Sequence, residues 1–417
     1  MNRLVLIGNG FDLAHNLPTS YQNFIDWYWE QRLNAMLTED SAVSEDCLCK
    51  LEIKNTKDWG NWFIFFLYQQ FRDLKTREWI YPPFEIISTL QDNIDDFSVK
   101  CSQFFERIIK SIETKGWVDV EDEYYDLLKK YVLEQSDVAE IENLNKQLHF
   151  LQEKLVEYLK SLEVHCELLK MDIRQKIYAT FEEQDISVEG QDALKEHVES
   201  GLTMDNQALD TKFRQYGSNC YTSGFVDDFR NKYGNQLIKA DELPKELLLP
   251  NHIMLLNFNY THTADLYCRK GSIFSVNQIH GDLDNPSSII FGYGDELDKD
   301  YKTIVDRNDN RFLGNIKSIK YLESDKYRRV LSFIESEPYQ IIIMGHSCGN
   351  SDRTLLNTLF EHKNCVSIKP YYHKKKDGTD NYLELVQNIS RNFSDMKLMR
   401  DRVVNKIYCN PLTEKLS

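Results

Sequence analysis

The sequence predicts an α/β fold, a parallel sheet whose strands come from both ends of the chain and are separated by a large, mostly helical insertion. A short apolar run opens the chain and ends in Gly8-Asn9-Gly10, and comparable runs return only after His252. The stretch between them is charged, aromatic and periodic at helical spacing. The chain has 17 Gly and 9 Pro in 417 residues, a low content that favours helices over a sandwich of tight turns. We therefore assign residues 1–70 and 245–417 to the core and residues 71–244 to the insertion.

The first element is a buried strand, Leu4 to Ile7, that turns sharply at Gly8 to Gly10. Glycines let a backbone approach a phosphate closely, and free N–H groups at the following helix start can bind it. The GxGxxG pattern of dinucleotide-binding turns is incomplete, because Leu13 stands where the third glycine belongs. Asn9 and Asp12 can hydrogen-bond a ribose or cap a short helix, and the residues alone leave both interpretations open.

The insertion is predicted to be helical as far as about Leu243, with no strand in it. A capping box formed by Thr19 and Gln22 predicts that a helix starts near Ser20. A coiled-coil-like segment near 138–165 carries a seam of apolar residues in alternating steps of three and four, namely Ile141, Leu144, Leu148, Leu151, Leu155, Tyr158 and Leu162. The seam is typical of a helical hairpin within the chain or of a contact between two copies, and we favour the hairpin.

Composition limits the classes of partner. The net charge of −16 works against an extended nucleic-acid surface, because Lys and Arg supply most phosphate affinity. The nine cysteines include no CxxC pair, so we expect neither a disulfide framework nor a metal site. The first residues are too short a hydrophobic run for a signal peptide, and no run reaches the length of a membrane span. We expect a cytoplasmic protein with no membrane contact.

After residue 245, five apolar runs predict further strands. Several of them end in glycine-containing turns, as expected for parallel strands whose carboxyl ends line one edge, where α/β sheets place their ligands. The runs are IMLLNFNY, VNQIHGD, SIIFGYGD, YQIIIMGHSCG and CVSIKPYYH. The opening strand is the natural missing member of this sheet.

Polar residues follow three of these runs. Asn257 and Asn259 can hold a sugar or a water, or can form a local turn. His280 precedes Gly281 at a strand end, where an imidazole can serve as a general base. Residues 345–349, GHSCG, match the GxSxG nucleophile elbow, but too little chain follows to supply the acid and base in the order of an α/β-hydrolase. Alternatively Ser347 meets phosphate or ribose, and Asp352 caps a helix or reaches a ligand hydroxyl.

Taken together, five segments in order resemble the bacterial abortive-infection AbiH family. The segments are IGNGFDLAHNLPTSY, LNFNYTHTADLY, IHGDL with IIFGYGD, IIIMGHSCGNSDRTLL and NISRNFSDMKLMRDRVV. The resemblance spans both ends of the chain and implies antiphage defence, set off by an unknown phage trigger. The family is in turn similar, more remotely, to the sirtuin-like NAD-binding fold, which implies a Rossmann-like core.

The sirtuin-like resemblance implies NAD as substrate or ligand, with His280 as the catalytic histidine and Asn259 orienting ribose or water. The residues that it implies around the nucleotide are Gly8, Asn9, Gly10, Phe11, Asp12, Asn257, Gly345, His346, Ser347 and Asp352. The chain departs from the sirtuin pattern at Thr261, where that pattern has Asp, and it lacks the cysteine pairs of the deacetylases. We therefore expect hydrolysis of the nicotinamide–ribose bond by water and no protein deacylation.

Three other functions stay open on the sequence. The first is a nuclease that uses His262, His280 and His346 on phosphodiesters, and the second is a nucleotide-gated binding protein that signals through the insertion without turnover. A serine hydrolase at Ser347 comes last. The insertion is also the region through which we expect the chain to form any homo-oligomer.

Overall fold

The computed structural model describes residues 1–38, 42–54, 67, 69–73, 75–76, 78–93, 97–115, 118–163, 169–216, 225–233, 245–269, 271 and 273–413. The end of the predicted seam, residues 164–165, and the last position assigned to the insertion, residue 244, lie outside these ranges.

The described elements alternate between strands and helices at both ends of the chain. The strands in chain order are β1 (Asn2–Ile7), β2 (Val43–Glu45), β3 (Cys49–Ile53), β4 (Phe97–Cys101), β5 (Ile253–Asn257), β6 (Phe274–Gln278), β7 (Tyr339–Met344) and β8 (Cys365–Tyr371). The helices are α1 (Asn9–Ala14), α2 (Tyr21–Thr38), α3 (Pro83–Asn93), α4 (Gln103–Lys115), α5 (Val120–Leu133), α6 (Val138–Glu163), α7 (Met171–Ile177), α8 (Gln191–Thr203), α9 (Asn206–Tyr216), α10 (Phe225–Tyr233), α11 (Tyr301–Val305), α12 (Lys317–Lys320), α13 (Lys326–Ser336), α14 (Arg353–Glu361), α15 (Tyr382–Arg391) and α16 (Met396–Arg402).

A five-stranded parallel sheet forms the core, in the order β6-β5-β1-β7-β8. The opening strand lies in the middle, with Ile7 opposite Asn257 on one side and Met344 on the other. This confirms the α/β class and the prediction that the first strand completes a sheet built from the carboxyl-terminal part. All five carboxyl ends meet at one edge because the strands run the same way.

Both faces of the sheet are buried, as a parallel sheet requires. Successive β1 residues alternate between the faces: Leu4 and Leu6 pack with α13, α14 and α15, while Val5 and Ile7 pack with α7 to α10. The continuous apolar run in β1 therefore follows from its position between two helical layers.

The amino-terminal half of the insertion packs with α2 and with residues 43–53, which precede the assigned boundary at residue 70, in a separate core. This core includes a three-stranded antiparallel sheet, β2-β3-β4, so the prediction of no strand before Leu243 is wrong. In β3 the residues alternate between buried and partly exposed, a period of two within only five residues. An alternation over so few residues is too short to be recognised as a strand signal in a charged, helix-rich sequence.

The helix after the first turn starts at Tyr21, close to the predicted position. Its cap differs from the predicted capping box: the Ser20 hydroxyl accepts a hydrogen bond from the Asn23 backbone N–H at 3.2 Å. The Thr19 hydroxyl instead donates to the Asn9 side-chain oxygen at 2.5 Å. Ser20, the residue directly before the helix, is therefore the N-cap, in agreement with the preference for serine at N-cap positions.

The predicted seam lies on α6 and is buried within the same chain, packed with α2 and α5. Only four residues separate α5 from α6, so the two form the helical hairpin that we favoured. Seam residues such as Leu148 and Leu151 are almost completely inaccessible. The seam therefore does not offer a surface to a second copy, and oligomerisation through other faces of the insertion stays a prediction.

One predicted strand is absent from the described residues. The run SIIFGYGD forms only an isolated bridge, between Tyr293 and Ile316. Its apolar residues Ile289 and Phe291 are buried in the insertion's core rather than in the sheet. At Gly292 an added Cβ would lie 2.0 Å from the Asn315 carbonyl oxygen, so this segment packs directly on another loop. Burial without strand pairing explains the strand-like composition.

Because β1 is the central strand, we expect Leu6→Ala to lower the free energy of unfolding by about 2–5 kcal/mol, through lost burial and a residual cavity. Leu322→Ala is the matched control, since Leu322 is 82% exposed and its truncation should change stability by less than about 0.5 kcal/mol. Denaturant unfolding followed by circular dichroism measures both. Equal stability of the two variants would contradict a central position for β1.

Candidate functional site at the carboxyl edge of the sheet

Two glycine turns pack backbone to backbone at the carboxyl ends of β1 and β7. The Gly10 N–H donates to the Gly345 carbonyl at 2.8 Å. Gly345 has φ +77°, and a Cβ there would lie 2.1 Å from the Phe11 nitrogen. A Cβ on Gly8 would lie 2.6 Å from the His346 Cα. These glycines are therefore required by the contact between the two turns, whether or not a phosphate binds beside them.

The turn after β5 is tied to the first glycine turn by side-chain hydrogen bonds. The Asn259 amide donates to the Gly8 carbonyl at 3.0 Å. The Thr261 hydroxyl donates to the Asp12 carboxylate at 2.6 Å. Fully buried Asn257 donates to the Thr261 carbonyl at 3.0 Å and accepts from the Asn259 N–H at 3.0 Å. Asn257 thus holds the turn that places Asn259 over Gly8.

A buried carboxylate, Asp352, lies between two histidines. Its Oδ1 is 3.3 Å from Nε2 of His280, and its Oδ2 is 3.5 Å from Nε2 of His346. His280 Nε2 also lies 3.1 Å from the Tyr321 hydroxyl. The residues come from the ends of β6 and β7, so the structure brings together three residues predicted to belong to one site.

The ammonium group of Lys317 lies between Asp352 and Glu121, at 2.8 Å and 3.0 Å. Burial would raise the pKa of Asp352, but Lys317 and the two histidines hold it well below its ordinary value. Burial raises the pKa of Glu121 to about 8, although Lys317 opposes the shift. The cluster thus pairs the Lys317 cation with the ionised carboxylate of Asp352, while burial favours the protonated form of Glu121.

Residues from outside the sheet add further groups to this cluster. The carboxyl group of Asp119 accepts from the Ser351 hydroxyl at 3.0 Å, and burial raises its pKa. The Glu121 carboxyl also accepts from the Gly292 N–H at 3.0 Å. Tyr21 and Tyr260 lie close enough that the Glu121 and Asp352 charges add to burial in raising their pKa values. The candidate site is therefore closed by residues from outside the sheet.

Glu121 and Lys317 were missed by the sequence reasoning. Glu121 belongs to the acidic run VEDE, which has the composition of an exposed first helical turn. Lys317 follows no motif, and its contacts with Asp352 and Glu121 join segments far apart in the chain. The local signal is the density of acidic residues in the first turn of α5, which does not identify a lysine partner.

Three further residues predicted to contact a nucleotide are Phe11, Asn9 and Ser347, and their contact with a nucleotide stays a prediction. The ring of Phe11 is fully buried against His15 and Tyr267. Asn9 is exposed and accepts from Thr19. Ser347 is exposed, and its carbonyl accepts from Asn388.

The GxSxG match does not form a serine–histidine pair within the described residues. No hydrogen bond joins the Ser347 hydroxyl to a histidine there, and the neighbouring His346 accepts from the Cys348 N–H through Nδ1 at 3.0 Å. The positive φ angles in this turn belong to Gly345 and Cys348 and not to the serine. Among the described residues, the Ser347 hydroxyl is therefore not paired with a base in the manner of a nucleophile elbow.

A separate cavity of about 610 Å³ lies on the face of the sheet beside β8. Its lining includes Arg3, Asp185 and Lys369, and none of the predicted site residues. Lys369 and Asp185 pair at 2.7 Å. The Arg3 guanidinium donates to the Gln340 side chain, to the carbonyl of the last residue of α7 and to the Ala179 carbonyl. The cavity is therefore distinct from the carboxyl edge.

Fold and site together define an α/β protein with a parallel sheet and a buried polar site at its carboxyl edge. Residues 4–373 match the sequence model of a protein family described as Bacteriophage abortive infection AbiH. The chain therefore belongs to the AbiH family, which indicates a role in phage abortive infection. No curated protein and no solved structure matches the chain.

Among the described helices, none combines the length and the apolar character needed to cross a membrane.

The contact between the glycine turns predicts that Gly345→Ala destabilises the protein by more than about 2 kcal/mol, since both the positive φ and the clash with Phe11 oppose a side chain. Gly378→Ala is the matched control, because Gly378 has φ +86° but nothing within 4 Å of an added Cβ. Gly378→Ala should lower the free energy of unfolding by only about 1 kcal/mol, the cost of a positive φ for alanine without a steric clash. Urea unfolding of both variants measures the difference, and similar losses would contradict the contact.

The raised pKa of Glu121 predicts a pH dependence of stability. The folded protein binds this proton more tightly than the unfolded chain, so stability is lost as pH rises from about 4.5, the ordinary value, through about 8. Glu121→Gln removes this proton, so its Tm should fall less between pH 5 and pH 8 than that of the wild type. Exposed Glu153→Gln is the control and should keep the wild-type slope. Identical slopes for wild type and Glu121→Gln in differential scanning calorimetry would contradict the assignment.

Proposed function

We propose that the chain is an abortive-infection effector that binds NAD at the carboxyl edge of a sirtuin-like core and hydrolyses the nicotinamide–ribose bond. The observation that carries the proposal is the His280–Asp352 contact of 3.3 Å at the end of β6. Cofactor depletion would halt growth of the infected cell. Support also comes from the glycine turn, Asn259 and His280 meeting at the edge where α/β sheets bind nucleotides.

In this mechanism His280 is the general base. Burial, reinforced by the nearby Lys317 charge, lowers the pKa of His280, so the imidazole is neutral at physiological pH and able to accept a proton. With Nε2 directed at Asp352, Nδ1 is the accepting atom, and Asp352 stabilises the imidazolium that forms. A carboxylate held well below its ordinary pKa keeps this role across the physiological range.

The reaction needs only water as a co-reactant. Water attacks C1′ of the nicotinamide ribose while the bond from C1′ to the nicotinamide nitrogen breaks, and the bonding electron pair leaves with nicotinamide. His280 takes the proton from the attacking water and later releases it to solvent. The products are nicotinamide, ADP-ribose and one proton. Asn259 positions the ribose or the water, and Gly8 to Asp12 lie beside the phosphates.

His280 is only 3% exposed, and the Glu121–Lys317–Asp352 contacts cover it from the side of the insertion. The conformation described here is therefore the resting one, and substrate reaches the histidine when the insertion separates from the sheet edge. An effector that kills its own cell must be inactive before infection. The proposal thus assigns the response to the phage trigger to the contacts between insertion and sheet.

A second candidate is a nucleotide-gated binding protein without turnover, and the burial of His280 favours it. A ligand bound at the outer part of the edge would then alter the insertion contacts while the histidine stays covered. Calorimetry showing saturable NAD binding, with intact NAD recovered afterwards from both resting and triggered samples, would favour this candidate over hydrolysis.

The enzymatic proposal predicts release of nicotinamide and ADP-ribose when purified protein is incubated with NAD and an extract of phage-infected cells. His280→Ala should reduce the rate at least about 100-fold, the usual contribution of a general base. His149→Ala is the control, since His149 is exposed on α6, and should keep the wild-type rate. Chromatography of the products measures the outcome. Absence of nicotinamide with and without the extract would overturn the hydrolase proposal.

A further inference from the structure

Three side chains outside the buried cluster converge at the rim of the same edge. We call His262, Asp282 and Asp284 the rim cluster. One ligand atom from each lies within 4.8 Å of the others, and His262 Nε2 is 3.5 Å from the Asp284 carboxylate. The side chains of His262 and Asp282 are partly covered and that of Asp284 is open to solvent, so an ion can enter directly from water.

The backbone holds the rim cluster in place from both sides. The Leu283 N–H donates to the Tyr260 carbonyl at 3.2 Å, which joins the turn after β6 to the turn after β5. Gly281 has φ +87°, and an added Cβ there would lie 2.3 Å from the Ser288 carbonyl oxygen. The Asp282 carboxylate also accepts from the Asn285 N–H at 3.0 Å. These contacts orient Asp282 outward while His280 points into the buried cluster.

The charge at the rim is unfavourable for a phosphate ligand unless a cation is present. Two carboxylates flank the rim, and the nearest lysine ammonium recorded for them, that of Lys326, is 3.8 Å from the Asp282 carboxylate. The whole chain carries a net charge of −16. A divalent ion neutralises the two carboxylates and bridges carboxylate and phosphate oxygens, which is the usual way that Mg²⁺-type ions hold nucleotides.

The donor set selects the kind of ion. One imidazole and two carboxylates suit first-row divalent metals such as Mn²⁺, and three protein ligands leave positions for water and a phosphate oxygen. Cysteine is absent from the set, which argues against a closed structural zinc site. The sequence contains no CxxC pair, and we therefore predicted no metal site from it. The rim cluster was not recognisable there because the contact between two turns brings its residues together.

We propose that His262, Asp282 and Asp284 bind a divalent cation that holds a phosphate of the nucleotide at the carboxyl edge. The phosphate role rests on the proposed nucleotide function, whereas the cation site can be measured without it. The cluster adjoins both predicted elements of the site, since His262 follows Thr261, which bonds to Asp12, and Asp282 lies two residues after His280.

The test of the cation site uses Mn²⁺ alone and the full chain. Titration followed by electron paramagnetic resonance, in which bound Mn²⁺ loses the sharp six-line signal of the free ion, should reveal a site in the wild type. Asp282→Asn and His262→Ala should each raise the Kd for Mn²⁺ at least about tenfold. Asp306→Asn, an exposed carboxylate outside the cluster, is the matched control and should keep the wild-type Kd.

A further variant separates a cation site from an ordinary ion pair. Lys326→Met removes the competing ammonium group and should tighten Mn²⁺ binding severalfold. Thermal unfolding of every variant checks that it is folded. Wild-type protein that binds no Mn²⁺ at millimolar concentration, or Asp282→Asn with the wild-type Kd, would overturn the proposal.

The phosphate role is tested by calorimetry of NAD binding with and without Mn²⁺. We expect Mn²⁺ to lower the Kd for NAD in the wild type and to have no effect in Asp284→Asn. Equal NAD affinity with and without Mn²⁺ would overturn the phosphate role. Failure of NAD to bind under either condition would instead contradict the nucleotide function, and the Mn²⁺ titration would still decide the cation site.

Discussion

The ammonium group of Lys317 joins the two halves of this molecule. It is almost completely buried and contacts Asp352, next to β7, and Glu121, from the insertion. A cation in this position is stable only while a carboxylate stays beside it, because a buried charge without a partner is strongly destabilising. Lys317 therefore keeps Asp352 ionised, Asp352 in turn lies beside His280 and His346, and the insertion is held over the sheet edge.

The same burial that strengthens these interactions makes the cluster responsive. In a medium of low polarity, charge interactions are strong while complete, and the loss of one partner is costly to the others. Moving α5 by a small distance would remove Glu121 from Lys317 and expose the Asp352 side to water. A binding partner that contacts only the displaced α5 would shift the population toward that arrangement.

The strands were predictable because each carries its own signal. The runs that contain β1, β5, β6, β7 and β8 are short and apolar, and each is followed by a turn. A pattern of this kind can be recognised within a short window of sequence. Because parallel strands end at one edge, the sequence alone predicts that His280, His346 and Asp352 belong to one site. Lys317 and Glu121 could not be found in this way, because their pairing depends on how the insertion docks. The sequence analysis missed the β2 to β4 sheet for a different reason. An alternation of only five residues, as in β3, is compatible with a helix surface as well as with a strand.

The order of strands also has a consequence for biosynthesis. The middle strand, β1, leaves the ribosome first, and its neighbour β5 begins only at Ile253. At a translation rate of about 5–20 residues per second, the interval between them is roughly 12–50 seconds. During that time an apolar strand has both edges unpaired while the insertion is completed and begins to fold. The nascent chain thus carries an apolar strand with two unpaired edges, a template for aggregation, until residues 253–344 emerge.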